Sequence, residues 1–250
     1  MTRFASPWPA PRWIAHRGAG KLAPENTLAA FRHGSSLGQR AFECDVKLSA
    51  DGVAFLLHDD TLDRTSNGSG PAGALTWQAL SQLDAGSWHA DARWAGEPPP
   101  TLQAIARYVL AQDAWLNLEI KPCPGTAGLT GQAVAAQAAR LWAGASRPPL
   151  LSSFEVDALA AAQAEAPKLP RALLLDTLWD GWQVAADALG CCAVVTHHRL
   201  MDAALCATLN QAGRAAMVYT VNDAAEAERL LACGVDHLIT DAVDHFKPSA

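Results

Sequence analysis

Two histidines, three carboxylates, an arginine and a lysine stand where short apolar runs of this sequence end: His16-Arg17, Glu43-Cys44-Asp45, His58 and Glu119-Ile120-Lys121. Residues two apart on an extended strand point to the same face, so Glu43 shares a face with Asp45, and Glu119 with Lys121. Three carboxylates with no cysteine among them suit a hard, oxygen-seeking cation, Mg²⁺ or Ca²⁺, better than zinc. Such an ion, together with Arg17, would neutralise a phosphate and the charge that builds on it during displacement. Histidines beside that phosphate titrate near neutrality and suit general base and general acid work. Lys121 would add a flexible point charge to a phosphate oxygen. Singly, each feature has a plain structural explanation: a hydrogen-bonded His, a solvated Glu-x-Asp face, a surface Glu–Lys pair. Their joint occurrence at the ends of neighbouring strands argues for chemistry.

The elements that must position these side chains are short strands alternating with amphipathic segments. Strand-like runs are Trp13–His16, Ala41–Val46, Trp115–Ile120, Leu150–Ser152, Arg171–Leu175, Ala193–Thr196, Ala215–Val221 and His237–Thr240. Ala- and Leu-rich stretches with helical spacing lie between most of them, including Thr27–Leu37, Thr130–Trp142, Val156–Ala164, Asp202–Gln211 and Ala224–Cys233. That order predicts a closed (β/α)8 TIM barrel. An open doubly wound sheet would carry a Gly-rich phosphate fingerprint after the first strand, and His16-Arg17-Gly18 is not one. A barrel keeps its chemistry at the C-terminal ends of its strands, where the residues above fall.

Two segments depart from the alternation. Val53–His58 is a further apolar run joined to the second strand through Ala50-Asp51-Gly52, a hairpin signal. Antiparallel register then sets His58 within a residue or two of Glu43. The stretch 59–100, after the second barrel strand, is rich in Gly, Ser, Pro and Trp and too long for an ordinary barrel loop. It is expected to form a small insertion subdomain over the barrel mouth, the whole chain being one domain.

Bulk properties narrow the partners. At 250 residues, 50% of them hydrophobic and 18% charged, the chain can bury the core of one large domain. The first dozen and the last few residues are the only candidates for disorder. A net charge of −6 argues against nucleic acid as the main partner. Cys44, Cys123, Cys191, Cys192, Cys206 and Cys233 form no Cys-x-x-Cys pair or disulfide framework and read as free thiols. Met1 to Arg12, with Pro7, Pro9 and Pro11, lacks the apolar run of a leader, and no stretch is apolar for a membrane span. The expectation is a soluble, cytoplasmic protein with a small-molecule substrate.

The motifs resemble the glycerophosphodiester phosphodiesterase family in its cytosolic, bacterial-type form. The stretches that carry this are Ile14-Ala15-His16-Arg17-Gly18, Pro24-Glu25-Asn26-Thr27, Phe42-Glu43-Cys44-Asp45-Val46, Leu57-His58-Asp59, Leu62-Asp63-Arg64-Thr65 and Leu118-Glu119-Ile120-Lys121. Ser152-Ser153-Phe154, Thr220-Val221-Asn222, Gly234-Val235-Asp236 and Ile239-Thr240-Asp241 continue it in order along nearly the whole chain. The resemblance implies a barrel whose insertion covers the site and recognises glycerol. It implies one divalent cation, Mg²⁺ or Ca²⁺, on Glu43, Asp45 and Glu119, with His16 as base and His58 as acid. It also implies phosphate contacts from Arg17 and Lys121, and hydrolysis to sn-glycerol 3-phosphate and an alcohol. In related phosphodiesterases the substrate's neighbouring hydroxyl attacks phosphorus and water opens the cyclic phosphate, which would require glycerol and tolerate the departing alcohol. Tyr219 stands where family members often carry Trp as a wall against glycerol.

Other residues have two readings. His197-His198 is an extra contact or a loop pair without a role. Trp77, Trp88 and Trp94 line the cleft or pack the insertion. Glu25-Asn26-Thr27 starts a helix or supports the site, and Asn222 and Asp241 are weaker candidates. Two other activities compete: a lysophospholipase D-like enzyme, which would want a greasy cleft or a membrane-seeking surface, and a silent barrel that only binds glycerophosphodiesters.

Overall fold

The computed structural model describes residues 8–247. The proline-bearing start as far as Pro7 and the last three residues, read above as candidates for disorder, lie outside the described residues. Among the described residues nine strands form one sheet: β1 (Trp13–Ala15), β2 (Ala41–Leu48), β3 (Ala54–Leu56), β4 (Trp115–Ile120), β5 (Leu150–Ser153), β6 (Arg171–Leu175), β7 (Ala193–His197), β8 (Ala215–Tyr219) and β9 (His237–Thr240). Their order is β1-β9-β8-β7-β6-β5-β4-β2-β3, and pairing of β1 with β2 at Ala15 and Phe42 closes the ring. The eight barrel strands are parallel, as the sequence predicts, and β3 alone runs antiparallel, against β2.

The helices are α1 (Leu28–Ser36), α2 (Trp77–Leu80), α3 (Leu102–Ala111), α4 (Ala127–Leu141), α5 (Val156–Glu165), α6 (Trp182–Ala188), α7 (Ala203–Gln211) and α8 (Ala224–Cys233). Side chains that accept from the first-turn amides start several of them: Thr27 from Ala30, Thr101 from Ala104, Asp202 from Leu205 and Asp223 from Glu226. None of the described helices is long and apolar enough to cross a membrane.

Strands with both faces covered read as continuous apolar runs, and β2 is buried from Ala41 to Lys47. One face of each strand meets the helices. The other fills the barrel with Ile14, Ala41, Leu150, Ala172, Val195 and Met217. Trp8 closes the N-terminal end of this interior, 1% exposed, with its ring 5.6 Å from both Trp115 and His237. The expectation of disorder through residue 12 is corrected here, because a buried indole anchors that segment.

The hairpin is shorter than the apolar run suggests. Val46 faces Leu56 and Leu48 faces Ala54, so the strand ends before His58 and its turn spans residues 49–53. The segment from 57 to 101 contains α2 and two single 3₁₀ turns, and its Leu57, Leu62, Ala72 and Leu80 cluster on Phe55 of β3.

After β1 the chain enters a tight turn in which Arg17 (φ 52°) and Gly18 (φ 99°) both take left-handed conformations. Helix α1 packs directly on this turn through Gly34, where a Cβ would lie 2.2 Å from the Gly18 carbonyl oxygen. Gly34→Ala should therefore destabilise the protein by about 1–3 kcal/mol, the range for overpacking, and lower turnover because the turn carries His16 and Arg17. Gly128→Ala on exposed α4, with open space around it, should stabilise by about 0.4–1 kcal/mol. Thermal unfolding and kcat of the two variants check the contrast.

Candidate active site

Glu43, Asp45 and Glu119 converge at the C-terminal mouth, with one oxygen of each within 4.8 Å of the others. Parallel register places Asp45 beside Glu119 on adjacent strands, and period-two alternation turns Glu43 inward with them. All three are buried, at 3%, 1% and 8% exposure. Burial, then repulsion from Asp45 and Glu119, pushes the Glu43 carboxyl well above the usual range. Burial and Asp45 push Glu119 up to about 7. Asp45 is the exception. Burial would raise it, but Arg17, Lys121 and His58 together with Asn26 hold it low.

The cluster fits a hard divalent cation on its own evidence. Arg17 N–H donates to Glu43 Oε2 at 3.1 Å, yet the buried Oε1 of Glu43 has no partner. Lys121 Nζ lies 3.0 Å from Glu119 Oε1 and 3.7 Å from Asp45 Oδ1. Arg17 Nε lies 3.2 Å from Asp45 Oδ2, near enough for attraction though not aligned as a hydrogen bond. Two cations for three carboxylates leave negative charge and a free oxygen, and oxygen-only donors suit Mg²⁺ or Ca²⁺.

Both histidines line the same cavity, of about 220 Å³, with Glu43, Glu119, Arg17 and Lys121. His16 Nδ1 lies 2.6 Å from Asp241 Oδ1, and His58 Nδ1 lies 2.7 Å from Asp59 Oδ1. A carboxylate only accepts, so Nδ1 carries the proton in each ring and Nε2 is left to exchange protons. His16 Nε2 stands 3.8 Å from Glu43 Oε2. The pairing register extrapolates to place His58 opposite Cys44, one residue from the expected Glu43. Burial holds the His58 imidazole below its ordinary pKa despite the pull of Asp45.

The remaining candidates divide. Tyr219 forms a wall of the cavity, edge-on to Phe154 at 5.8 Å. His197 stacks on His198 and touches Tyr219, whereas His198 is tied to Glu226. Trp77 packs the insertion and Trp94 the main core, while Trp88 lines a second cavity beside His16. Glu25-Asn26-Thr27 does both things foreseen for it. Thr27 caps α1, and the Asn26 amide exchanges two hydrogen bonds with Asp45, from Nδ2 to Oδ2 at 2.8 Å and from Asp45 N–H to Oδ1 at 3.1 Å.

Sequence reasoning gave no role to Asp59 or Arg64 and too little weight to Asp241. Asp241 is steered by Asn222, whose Nδ2 donates to Oδ2 at 3.0 Å. Arg64 donates to Glu25 through Nη1 and Nη2, both at 2.8 Å, and to Asp59 through Nε at 2.7 Å and Nη2 at 2.9 Å. Glu25 in turn accepts from Arg17 Nη1 at 2.8 Å. One insertion side chain thus holds the partner of His58 and the partner of Arg17. The signal was adjacency: Asp59 follows His58, and Asn117 precedes Glu119 by two on the same interior face, where it too lines the cavity.

The comparisons with known proteins agree with this geometry. Residues 16–245 match the Glycerophosphoryl diester phosphodiesterase family. A glycerophosphodiester phosphodiesterase of Caldanaerobacter subterraneus is 32% identical over 233 residues, covering 91% of this chain and 93% of the relative. An Oleispira antarctica phosphodiesterase, solved with its product sn-glycerol-3-phosphate, superimposes with a TM-score of 0.87 at 32% identity over 94% of this chain and 95% of that one. A glycerophosphodiester phosphodiesterase from Agrobacterium tumefaciens gives a TM-score of 0.77 at 29% identity, over 94% and 97%. A barrel with a carboxylate cluster and paired histidines at its mouth defines the class, a phosphodiesterase of the TIM-barrel kind. The chain belongs to the glycerophosphoryl diester phosphodiesterase family and is an enzyme of that activity.

Two expectations follow. Glu43 and Glu119 keep their protons in the fold at pH values where the unfolded chain has lost them. In chelated protein the Glu119 part of that stability is complete below about pH 4.5 and is lost as pH rises through about 7, and the Glu43 part runs in the same direction. Glu119→Gln should then raise the melting temperature of EDTA-treated protein at pH 8 and leave it unmoved at pH 4. Arg64→Gln should lower kcat about tenfold, and Arg64→Lys should not rescue it, because an ammonium cannot span two carboxylates as the guanidinium does. With Arg64 gone, Asp59 pairs more strongly with the His58 imidazolium, so the limb of the kcat–pH profile that His58 sets should move to higher pH. A purely structural role would leave that limb in place.

Proposed function

We propose that the enzyme hydrolyses glycerophosphodiesters to sn-glycerol 3-phosphate and an alcohol, with proton transfer by His16 and His58 beside one divalent cation held by Glu43, Asp45 and Glu119. The observation that carries this reading is the meeting of an under-neutralised carboxylate trio and two carboxylate-backed imidazoles in one small cavity. The sn-glycerol-3-phosphate bound to the Oleispira relative supports the same product. A bound Mg²⁺ or Ca²⁺ supplies Lewis-acid neutralisation of phosphate charge.

The protein's own residues do the rest. Arg17, left-handed and fixed by Glu25, and Lys121, fixed by Glu119, receive the phosphate oxygens. Burial opposes the charge on each, but the surrounding carboxylates outweigh it, so both stay cationic. One imidazole Nε2 takes the proton of the attacking glycerol hydroxyl, while the other, protonated, gives its proton to the departing alkoxide. Water entering in the second half reverses the two roles. Fixing the hydroxyl near phosphorus gains from proximity, and Phe154 and Tyr219 give the small cavity an apolar side for the glycerol carbons. The insertion, residues 59–100, acts in this reading as a subdomain over the mouth. A cytosolic setting belongs to the same proposal, on the strength of six unpaired thiols.

Release of glycerol 3-phosphate from glycerophosphocholine, followed by a coupled dehydrogenase assay, tests the reading. EDTA should abolish turnover and Mg²⁺ or Ca²⁺ restore it. His16→Ala and His58→Ala should each lose at least ~10²-fold in kcat with unchanged substrate binding. Turnover indifferent to the chelator, or near-normal rates in both histidine variants, would refute it.

A further inference from the structure

A phosphodiester carries two alcohols, and two cavities meet at the residues that flank its phosphate. The second cavity, of about 520 Å³, shares only His16 and Arg17 with the reaction cavity of about 220 Å³. The two ester arms diverge from phosphorus, so each cavity can take one. The smaller cavity contains the carboxylate cluster and a short apolar wall, which suits the invariant three-carbon glycerol. The larger contains none of Glu43, Asp45 or Glu119. It is bounded by the loop after β1 and by Trp88 and His89 of the insertion.

That boundary is built. Gly20 (φ 56°) lets the loop after β1 lie against Asp241, where a Cβ would be 2.1 Å from the Asp241 carbonyl oxygen. The Lys21 amide donates to that same oxygen. From the insertion side, His89 Nδ1 accepts from the Asp91 amide at 3.2 Å, so Nε2 carries the proton and donates to the Lys21 carbonyl at 3.2 Å. The insertion and the loop are thereby latched together across the cavity.

The polar groups of this wall are mostly committed. Glu25 accepts from Arg17 and Arg64, and Asp241 is matched by His16 and Asn222. Both nitrogens of His89 are used, and the Trp88 indole N–H donates to Ala85. The Lys21 ammonium is exposed and enters no hydrogen bond or ion pair among the described residues. What remains for a ligand is therefore one cationic donor and the face of the Trp88 ring, 37% exposed. An aromatic face attracts the C–H side of a carbon skeleton, and an ammonium donates to hydroxyl oxygens. The same ring would attract a quaternary ammonium, but here no carboxylate is free to support it, and Lys21 repels it.

We propose that this second cavity is the subsite for the departing alcohol and that it selects a polyol head group, glycerol or inositol, over choline, with Lys21 and Trp88 as the specificity-determining residues. The inference rests on the hydrolytic reading above and names the substrate class of that same site. Its test is the ratio of kcat/KM for glycerophosphoglycerol and glycerophosphoinositol to that for glycerophosphocholine, in holoenzyme with saturating Mg²⁺. The wild-type ratio should exceed one. Lys21→Met should lower it about tenfold, the worth of one hydrogen bond to a charged group, and Trp88→Ala severalfold, the worth of an aromatic face against carbon, each chiefly through KM of the polyol substrates. Lys21→Glu should move the ratio further, towards choline. A ratio below one, or one that none of the three variants moves, would overturn the subsite while leaving hydrolysis intact. Absence of hydrolysis of all three diesters by the wild type would overturn the subsite and the hydrolytic reading together.

Discussion

Three carboxylates crowded into a buried barrel mouth are the constraint from which the rest of this structure follows. Like charges at this separation, largely removed from water, cannot all remain ionised without compensation. The chain supplies some of it. Arg17 reaches the cluster by taking a left-handed backbone, Lys121 directly follows the strand that carries Glu119, and Asn26 gives its amide to Asp45 from another left-handed residue. Strained backbone at two positions costs of order 1–3 kcal/mol each, which the surrounding turn, pinned by α1 at Gly34, must hold. The charge left over is what a divalent cation would neutralise.

The histidines follow the same logic at one remove. Each imidazole is oriented by a carboxylate, and each carboxylate is itself held, Asp241 by Asn222 and Asp59 by Arg64. The two supports differ in origin. Asp241 and Asn222 follow barrel strands β9 and β8, whereas Arg64 comes from the segment after β3. Folding of that segment is thereby coupled to the placing of both His58 and Arg17, which gives the long connection between β3 and β4 a reason to be ordered rather than merely present.

Much of this was legible in the sequence, for identifiable reasons. Period-two alternation on β2 and β4 turns Glu43, Asp45 and Glu119 to one face, and parallel register then brings them together, so the cluster could be read from spacing alone. The strand count and the antiparallel arm that brings His58 to the mouth were readable from apolar runs and the Asp51-Gly52 turn. Less legible were contacts that depend on where loops travel. Arg64 and Glu25 lie far apart in sequence and on different loops, and no local pattern brings them together. Trp8 was hidden by the prolines around it, which signal an irregular tail although the indole is buried. The His197-His198 pair split into a cavity neighbour and a structural ion pair because the strand ends between them.

The central claim is that the carboxylate trio is a cation site whose charge is incomplete by itself. Calorimetric titration of EDTA-treated protein with Mg²⁺ and with Ca²⁺, in two buffers of different ionisation enthalpy, tests it directly. The account predicts one ion bound per chain, with protons released on binding near pH 6.5, the share from Glu119 falling by pH 8.5, and with binding lost in Glu43→Gln and Asp45→Asn. Absence of binding by either ion, or binding that survives both substitutions, would contradict it.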